Sequence, residues 1–187
     1  MQATLVSGNR HKFDEMSKKL ALAGIELLWK KTSLEEPDGL SLEETAKEKA
    51  RQAFALVKAP VVTEDTGVFF DAFDNFPGSK AKRYFEELGF DGLLEKVNGK
   101  NRDARFVTFV CFTENGKEFH CFKGELKGTL AKEVHNLEKD VLPYEKIFIP
   151  NGFKCTMSDI PREKKNTFSH RAQATKKFAG WLKEKND

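Results

Sequence analysis

No stretch of this sequence approaches the roughly 20 consecutive apolar residues that a bilayer-spanning helix requires. The opening residues, Met1 to Asn9, lack the basic and long apolar segments of a secretory signal, so the expected location is the cytoplasm, away from membranes. Cysteine is scarce: Cys111, Cys121 and Cys155 are the only three, with no C-x-x-C pair and no histidines at zinc-ligand spacing. That odd, scattered set argues against a disulfide framework and against a zinc site. Neither sign of charge dominates, since 32 Lys and Arg meet 29 Asp and Glu for a net charge of +3. Such a mild basic excess suits a polyanionic small molecule and lacks the dense basic face of a dedicated nucleic-acid binder, so stable nucleic-acid binding is not expected. Tyrosine and tryptophan number only two each against 17 phenylalanines, which points to a Phe-packed core. With 39% hydrophobic and 33% charged residues and a mean hydropathy of −0.56, the chain reads as globular and well solvated. Its 187 residues suffice for one core, or for two lobes on one sheet, and residues 1–187 are taken as a single domain.

The pattern of apolar residues predicts alternating strands and helices. Ala3 to Ser7 reads as a strand broken at Gly8-Asn9, followed by a helix from Lys12 to Leu22 and a second strand from Ile25 to Trp29. Ser41 to Leu56 is strongly helical, opened by a Ser41/Glu44 capping box and closed by Pro60. Val61 to Thr63 begins a β-rich stretch resumed after Thr66-Gly67 as Val68 to Phe73. Pro77-Gly78 then marks a loop before helices near Ala81–Leu88 and Gly92–Val97. Arg105 to Thr113, the Asn115-Gly116 turn and Glu118 to Lys123 form a hairpin, extended by Glu125 to Leu130. Pro150 to Lys165 reads as loop, and a last helix covers Ser169 to Lys183. The sum is an α/β or α+β domain with a mixed sheet.

Four stretches carry groups suited to chemistry. Ser7-Gly8-Asn9-Arg10-His11-Lys12 is a glycine turn from strand to helix, where backbone N–H groups, the helix dipole and a lysine can cradle phosphate; equally, it can be an ordinary turn capped by Asn9. Glu64-Asp65-Thr66-Gly67 ends a strand with adjacent acids at a turn. Strand alternation sends only one of the two into a given site, and Asp65 is the choice because Val61 and Thr63 share its face. A carboxylate there can hold Mg²⁺ and prepare a water, or simply cap the turn. Glu35, Glu36, Glu43 and Glu44 flank the start of the second helix, which continues with Lys47 and Lys49, and such a run can also be a solvated face. Lys165-Asn166-Thr167-Phe168-Ser169-His170-Arg171 places two cationic residues in the first turn of the last helix, with Ser169 as N-cap. Cations sit poorly at that end of a helix dipole unless an anion or an electron-rich ligand faces them.

Taken in order, these stretches resemble the Ham1/inosine triphosphate pyrophosphatase family across nearly the entire chain. Ser7-x-Asn9-x-x-Lys12 with Glu15 is similar to its opening motif, and Glu44-Thr45-Ala46-x-x-Lys49-Ala50 to its E-N-A-x-x-K-A helix. Glu64-Asp65-Thr66-Gly67, Pro77-Gly78 and Lys165-Asn166-x-x-Ser169-His170-Arg171 match three further motifs. The resemblance implies the Maf/Ham1 fold, an elongated central mixed sheet flanked by helices in two lobes with a cleft between. It implies a Mg²⁺-dependent, homodimeric hydrolase that cuts inosine and xanthosine triphosphates and their deoxy forms to monophosphate and pyrophosphate, keeping the nucleotide pool clean. Ser7, Asn9, Lys12 and Lys49, joined by Lys82, would bind the triphosphate. Asp65 would be the catalytic, metal-linked carboxylate with Glu36 as second ligand, Glu35 and Glu44 being the other candidates. Lys165, His170 and Arg171 would meet the nucleobase, with Gly8, Thr66, Tyr144 and Glu145 completing the substrate-binding set.

One segment departs from the pattern. Where the family has F-G-[YW]-D-P-x-F, this chain reads Leu142-Pro143-Tyr144-Glu145-Lys146-Ile147-Phe148, losing a stacking aromatic and a backbone N–H and lengthening a carboxylate. Ser79 also stands where the family has a tyrosine after P-G. Two alternatives follow: a pyrophosphatase of the same fold with altered base specificity, or a catalytically silent nucleotide- or nucleic-acid-binding module.

Overall fold

The computed structural model describes residues 1–186. Among the described residues, seven strands and five α-helices follow one another: β1 (Gln2–Val6), α1 (Arg10–Ala21), β2 (Glu26–Lys30), α2 (Leu42–Val57), β3 (Val61–Phe70), β4 (Pro77–Gly78), α3 (Ala81–Lys96), β5 (Asp103–Thr113), β6 (His120–Leu130), β7 (Phe148–Pro150), α4 (Arg162–Phe168) and α5 (His170–Asn186). The strands form one mixed sheet in the order β2-β1-β3-β5-β6-β7, with β4 beside β3. β1 runs parallel to β2 and to β3, whereas β4 on β3 and β7 on β6 are antiparallel. This is the mixed α/β arrangement that the apolar pattern predicts.

The chain divides into two compact units. The first comprises Met1–Thr66, Thr108–Gly124 and the chain from Ser169 onward; the second comprises Gly67–Val107 and Glu125–Phe168. In the first unit, strand alternation sorts the core onto two faces of the sheet. Leu5, Val62, Val110 and Phe112 pack with Met16 and Leu20 of α1 and with Phe178 and Leu182 of α5. Their chain neighbours Val6 and Val61 pack with Ala53 of α2, and Cys111 with Ala46 and Ala50 of the same helix. The second unit has its own Phe-rich core, in which Phe70, Phe106, Tyr144 and Phe148 surround Leu93 and Val97.

Several expectations need correction. Cys111 and Cys121 form a disulfide, because the β5–β6 hairpin sets them across from each other with Cα atoms 4.1 Å apart, and spacing rules for frameworks do not register a single cross-strand pair. Thr66-Gly67 is not a turn: β3 runs unbroken from Val61 to Phe70, so Glu64 and Asp65 lie within the strand. Gly67 is there because a Cβ would come within 2.8 Å of the Phe69 ring and 3.2 Å of the Gly78 backbone, a close approach rather than a bend. β6 likewise continues through Gly124 and Gly128. The two helices read after Pro77-Gly78 are joined across Gly89, whose φ of 61° breaks the helical path. α4 begins within the stretch read as loop up to Lys165, its sequence lacking apolar periodicity, and β7 was not expected at all. Among the described residues, no helix is long and apolar enough to cross a membrane.

Candidate functional site

In the first unit, the two acids of β3 point to opposite faces and each meets its own cations. Asp65 shares a face with Val61 and Thr63, the side on which Thr63 donates to the Ala46 carbonyl of α2. There the Lys49 ammonium of α2 donates to Asp65 Oδ1 and to Glu36 Oε1, each at 2.5 Å. Asp65 is 5% exposed, and its second oxygen, Oδ2, is buried with no hydrogen-bond partner. Burial is the largest influence on this carboxyl and, despite the pull of Lys49 and Lys12, holds it above the ordinary carboxylate value. Burial alone would lower Lys49, but the charges and hydrogen bonds of Asp65 and Glu36 outweigh it and keep its ammonium above its usual value. Two carboxylates therefore flank one buried cation, an all-oxygen pair of the kind that suits a hard divalent ion.

On the other face, Glu64 is the centre of a denser network. Arg171 Nε of α5 donates to Glu64 Oε1 at 2.9 Å, and Thr108 of β5 donates to the same oxygen at 3.2 Å. Lys12 of α1 forms an ion pair with Glu64 Oε2 and donates to its backbone carbonyl at 3.0 Å. Arg171 Nη1 also donates to Glu15 Oε2 at 2.7 Å, while its Nη2 is buried with no hydrogen-bond partner. Although burial opposes ionisation, the Arg171 and Lys12 charges hold the Glu64 carboxyl far below the usual range. Against its own burial, Arg171 is held firmly protonated by Glu15 and Glu64. Sequence reading set Glu64 aside. Nothing local marks its role, since its partners lie 52 and 107 residues away in the chain.

Local structure explains how these side chains are carried. Asn9 caps α1, its side chain accepting from His11 N at 2.9 Å, and Ser7 Oγ accepts from Asn9 N at 3.2 Å. Lys12 thus projects from the first turn of α1, three residues before Glu15 on the same side of the helix. Gly8 lies beside Ser33, whose Oγ would be 3.2 Å from an added Cβ. Ser41 and Glu44 form the expected capping box of α2, which occupies Glu44 at the helix start. Glu35 is held through its backbone by Gln52, so of the three acids considered as partners of Asp65, Glu36 is the one turned to Lys49. Ser169 caps α5 by accepting from Ala172 N, and the first turn of α5 lies hard against β6: a Cβ on Gly124 would come within 1.9 Å of the His170 carbonyl oxygen. His170 and Arg171 are both buried. Thr66 hydrogen-bonds to Glu64 and Thr108.

The remaining candidates belong to the second unit. Lys165 donates to Glu145 at 2.5 Å, and both side chains are buried. Tyr144 is committed to the core, with its hydroxyl donating to the Ala81 carbonyl at 2.8 Å and burial pushing its ionisation upward. Lys82 stands exposed on α3 with Glu86 as its ion partner at 3.7 Å. Among the described residues, no three His, Cys, Asp or Glu side chains gather closely enough to cage a metal by themselves.

Comparison with known proteins gives a consistent result. Residues 3–181 match the model of the Ham1 family. The chain is 33% identical over 185 residues to a dITP/XTP pyrophosphatase of Thermococcus kodakarensis, covering 98% of each. It is 35% identical over 186 residues to a dITP/XTP pyrophosphatase of Methanopyrus kandleri, covering 98% of this chain and 97% of that one. Among solved structures it is similar to a HAM1 protein from Coxiella burnetii, with a TM-score of 0.85, 25% identity, and coverage of 98% of this chain and 99% of the other.

Proposed function

The chain belongs to the Ham1 family, and from that premise we propose that it hydrolyses purine nucleoside triphosphates with altered bases, namely ITP, dITP and XTP, to monophosphate and pyrophosphate. The observation that carries this reading is the buried Asp65 carboxylate, steered by Lys49, with one oxygen still open to a partner. A carboxyl raised by burial accepts a proton from water more readily than an ordinary one. Asp65 takes that proton as water adds across the α–β anhydride and pyrophosphate leaves. The Lys12 and Lys49 ammonium groups would offset the charge growing on the leaving group, with Ser7, Gly8, Asn9 and Thr66 also binding the triphosphate.

The donor set fits Mg²⁺. Asp65 and Glu36 offer two carboxylates to one point, and Mg²⁺ is commonly held by one or two carboxylates together with substrate phosphates rather than by a protein cage. When bound, it would supply Lewis-acid neutralisation of the phosphates. Arg171, with a buried donor still unused, supports a contact to a purine carbonyl, with His170 beside it. Residues 1–187 act as one pyrophosphatase domain, assembled as a homodimer and working in the cytoplasm without stable nucleic-acid binding.

A second reading, the same reaction on a different altered base, is favoured by the segment from Leu142 to Glu145. Tyr144 is spent on the core, and Glu145 is paired with Lys165. One experiment addresses both: a panel of triphosphates with Mg²⁺, scored for pyrophosphate against orthophosphate. Pyrophosphate with ITP or XTP and little from ATP is expected; orthophosphate as the sole product would refute the cleavage position.

A further inference from the structure

We propose that Glu64 is a positioning residue: its single carboxylate fixes the Lys12 ammonium and the Arg171 guanidinium relative to each other, tying the phosphate-binding end of the site to the base-reading end. The inference rests on the pyrophosphatase reading above. Its ground is the network itself. The Glu64 side chain has no exposure, and a carboxylate removed from water persists only when its oxygens are met by donors and opposite charge. Here Oε1 accepts from Arg171, Thr66 and Thr108, Oε2 faces Lys12, and the residue's own carbonyl takes a second hold on Lys12. These partners come from α1, β5 and α5, so one strand residue sets the relation between two helices. Glu15 closes the set, giving two anions for two cations.

Stability alone does not account for the cluster, because apolar side chains of similar volume generally serve a buried core as well as ion pairs do. Nor is Glu64 placed to serve as a base. Its Oε1 accepts from Arg171 and Thr108 and its Oε2 is ion-paired with Lys12, whereas Asp65 Oδ2 next to it has no hydrogen-bond partner and no ion pair of its own. What remains for Glu64 is to hold. Lys12 approaches a triphosphate from a fixed point rather than from a free four-carbon tether, and Arg171 keeps its guanidinium plane through two carboxylates at defined distances.

The test is steady-state pyrophosphate release from ITP with Mg²⁺, comparing wild type, Glu64→Gln, Lys12→Met and the double variant, with folding checked by circular dichroism. Gln keeps the shape but turns away the charge that anchors Lys12, so KM should rise about tenfold or more while kcat falls by a smaller factor. Because Glu64 acts partly through Lys12, the double variant should lose less than the product of the two single losses by about fivefold or more. If Glu64→Gln does not fold, Thr108→Val, which removes one donor to the same oxygen, should raise KM about threefold with the same coupling to Lys12→Met. An active wild type with KM unchanged in the folded variant, or losses that simply multiply, overturns the positioning role alone. A wild type that releases no pyrophosphate from any triphosphate overturns the activity, and this role with it.

Discussion

Glu64 and Asp65 are adjacent carboxylates in one strand, and their surroundings drive them in opposite directions. Glu64 is held ionised by the Arg171 and Lys12 charges in spite of its burial, while burial raises Asp65 against the pull of Lys49 and Lys12. A group that must take up a proton gains from the second environment and loses from the first. Asp65→Asn should therefore lower kcat for pyrophosphate release by about 10²–10⁴-fold with an unchanged circular dichroism spectrum; a fall below tenfold would place proton uptake elsewhere. Period-two reasoning on the sequence correctly puts Val61, Thr63 and Asp65 on one face. It gives no sign that the opposite face is also polar, because Lys12, Glu15 and Arg171 reach Glu64 only through tertiary packing of α1 and α5. Glu36 differs again. Its part beside Lys49 depends on how the loop before α2 folds back, which no local pattern encodes.

Among the elements, the approach of α5 to β6 demands the closest tolerance. Gly124 leaves room for the His170 carbonyl, so Gly124→Ala must push the first turn of α5 away from the strand and carry Arg171 with it. The expected result is a loss of pyrophosphatase activity of about 10²-fold, disproportionate to a modest fall in melting temperature; full activity would show that the helix start can shift freely. In the second unit, the 3-10 turn Met157–Asp159 is held by a capping box between Thr156 and Asp159, with Asn136 donating to the same carboxylate. The Asn136 hydrogen bond, followed by those from Thr156, holds the Asp159 carboxyl below its ordinary value of 3.8. A lowered folded-state value means that its stabilisation is present above that ordinary value and is lost as pH falls towards the lowered one. The gap between the melting curves of wild type and Asp159→Asn should be full at pH 7 and shrink as pH falls below 3.8, and a gap that widens in acid would contradict the assignment. Capping boxes of this kind are legible from sequence, as with Ser41 and Glu44. Continuous strands through Gly67, Gly124 and Gly128 are not, because a glycine that admits a neighbour's backbone looks the same in sequence as one that makes a turn.

At the scale of the molecule, β3, β5 and β6 each begin in one compact unit and end in the other. Each unit is thus stitched from separate chain segments, and neither has a contiguous sequence of its own. Calorimetry should show a single melting transition. Phe178→Ala, in the core of the first unit, should shift all of it at a cost of about 3–5 kcal/mol; two transitions of which only one moves would mean that the shared strands do not couple the units. The broad class, an α/β chain with a mixed sheet, was legible because apolar periodicity survives in α1, α2, α5 and the hairpin. Two lobes were implied only by the family resemblance, and where the two units divide was not legible, since the boundaries fall inside strands where composition does not change. The residues that do the chemistry are also tied to parity. Inserting one residue in β3 just before Glu64 would exchange the sides on which the two carboxylates emerge, turning the longer acid towards Lys49 and carrying the shorter one a further step along the strand, past the place where Lys12 and Arg171 meet Glu64. Chain length between Val61 and Glu64 is therefore as much a part of this enzyme's chemistry as the acids themselves, because it decides which cation each carboxylate meets.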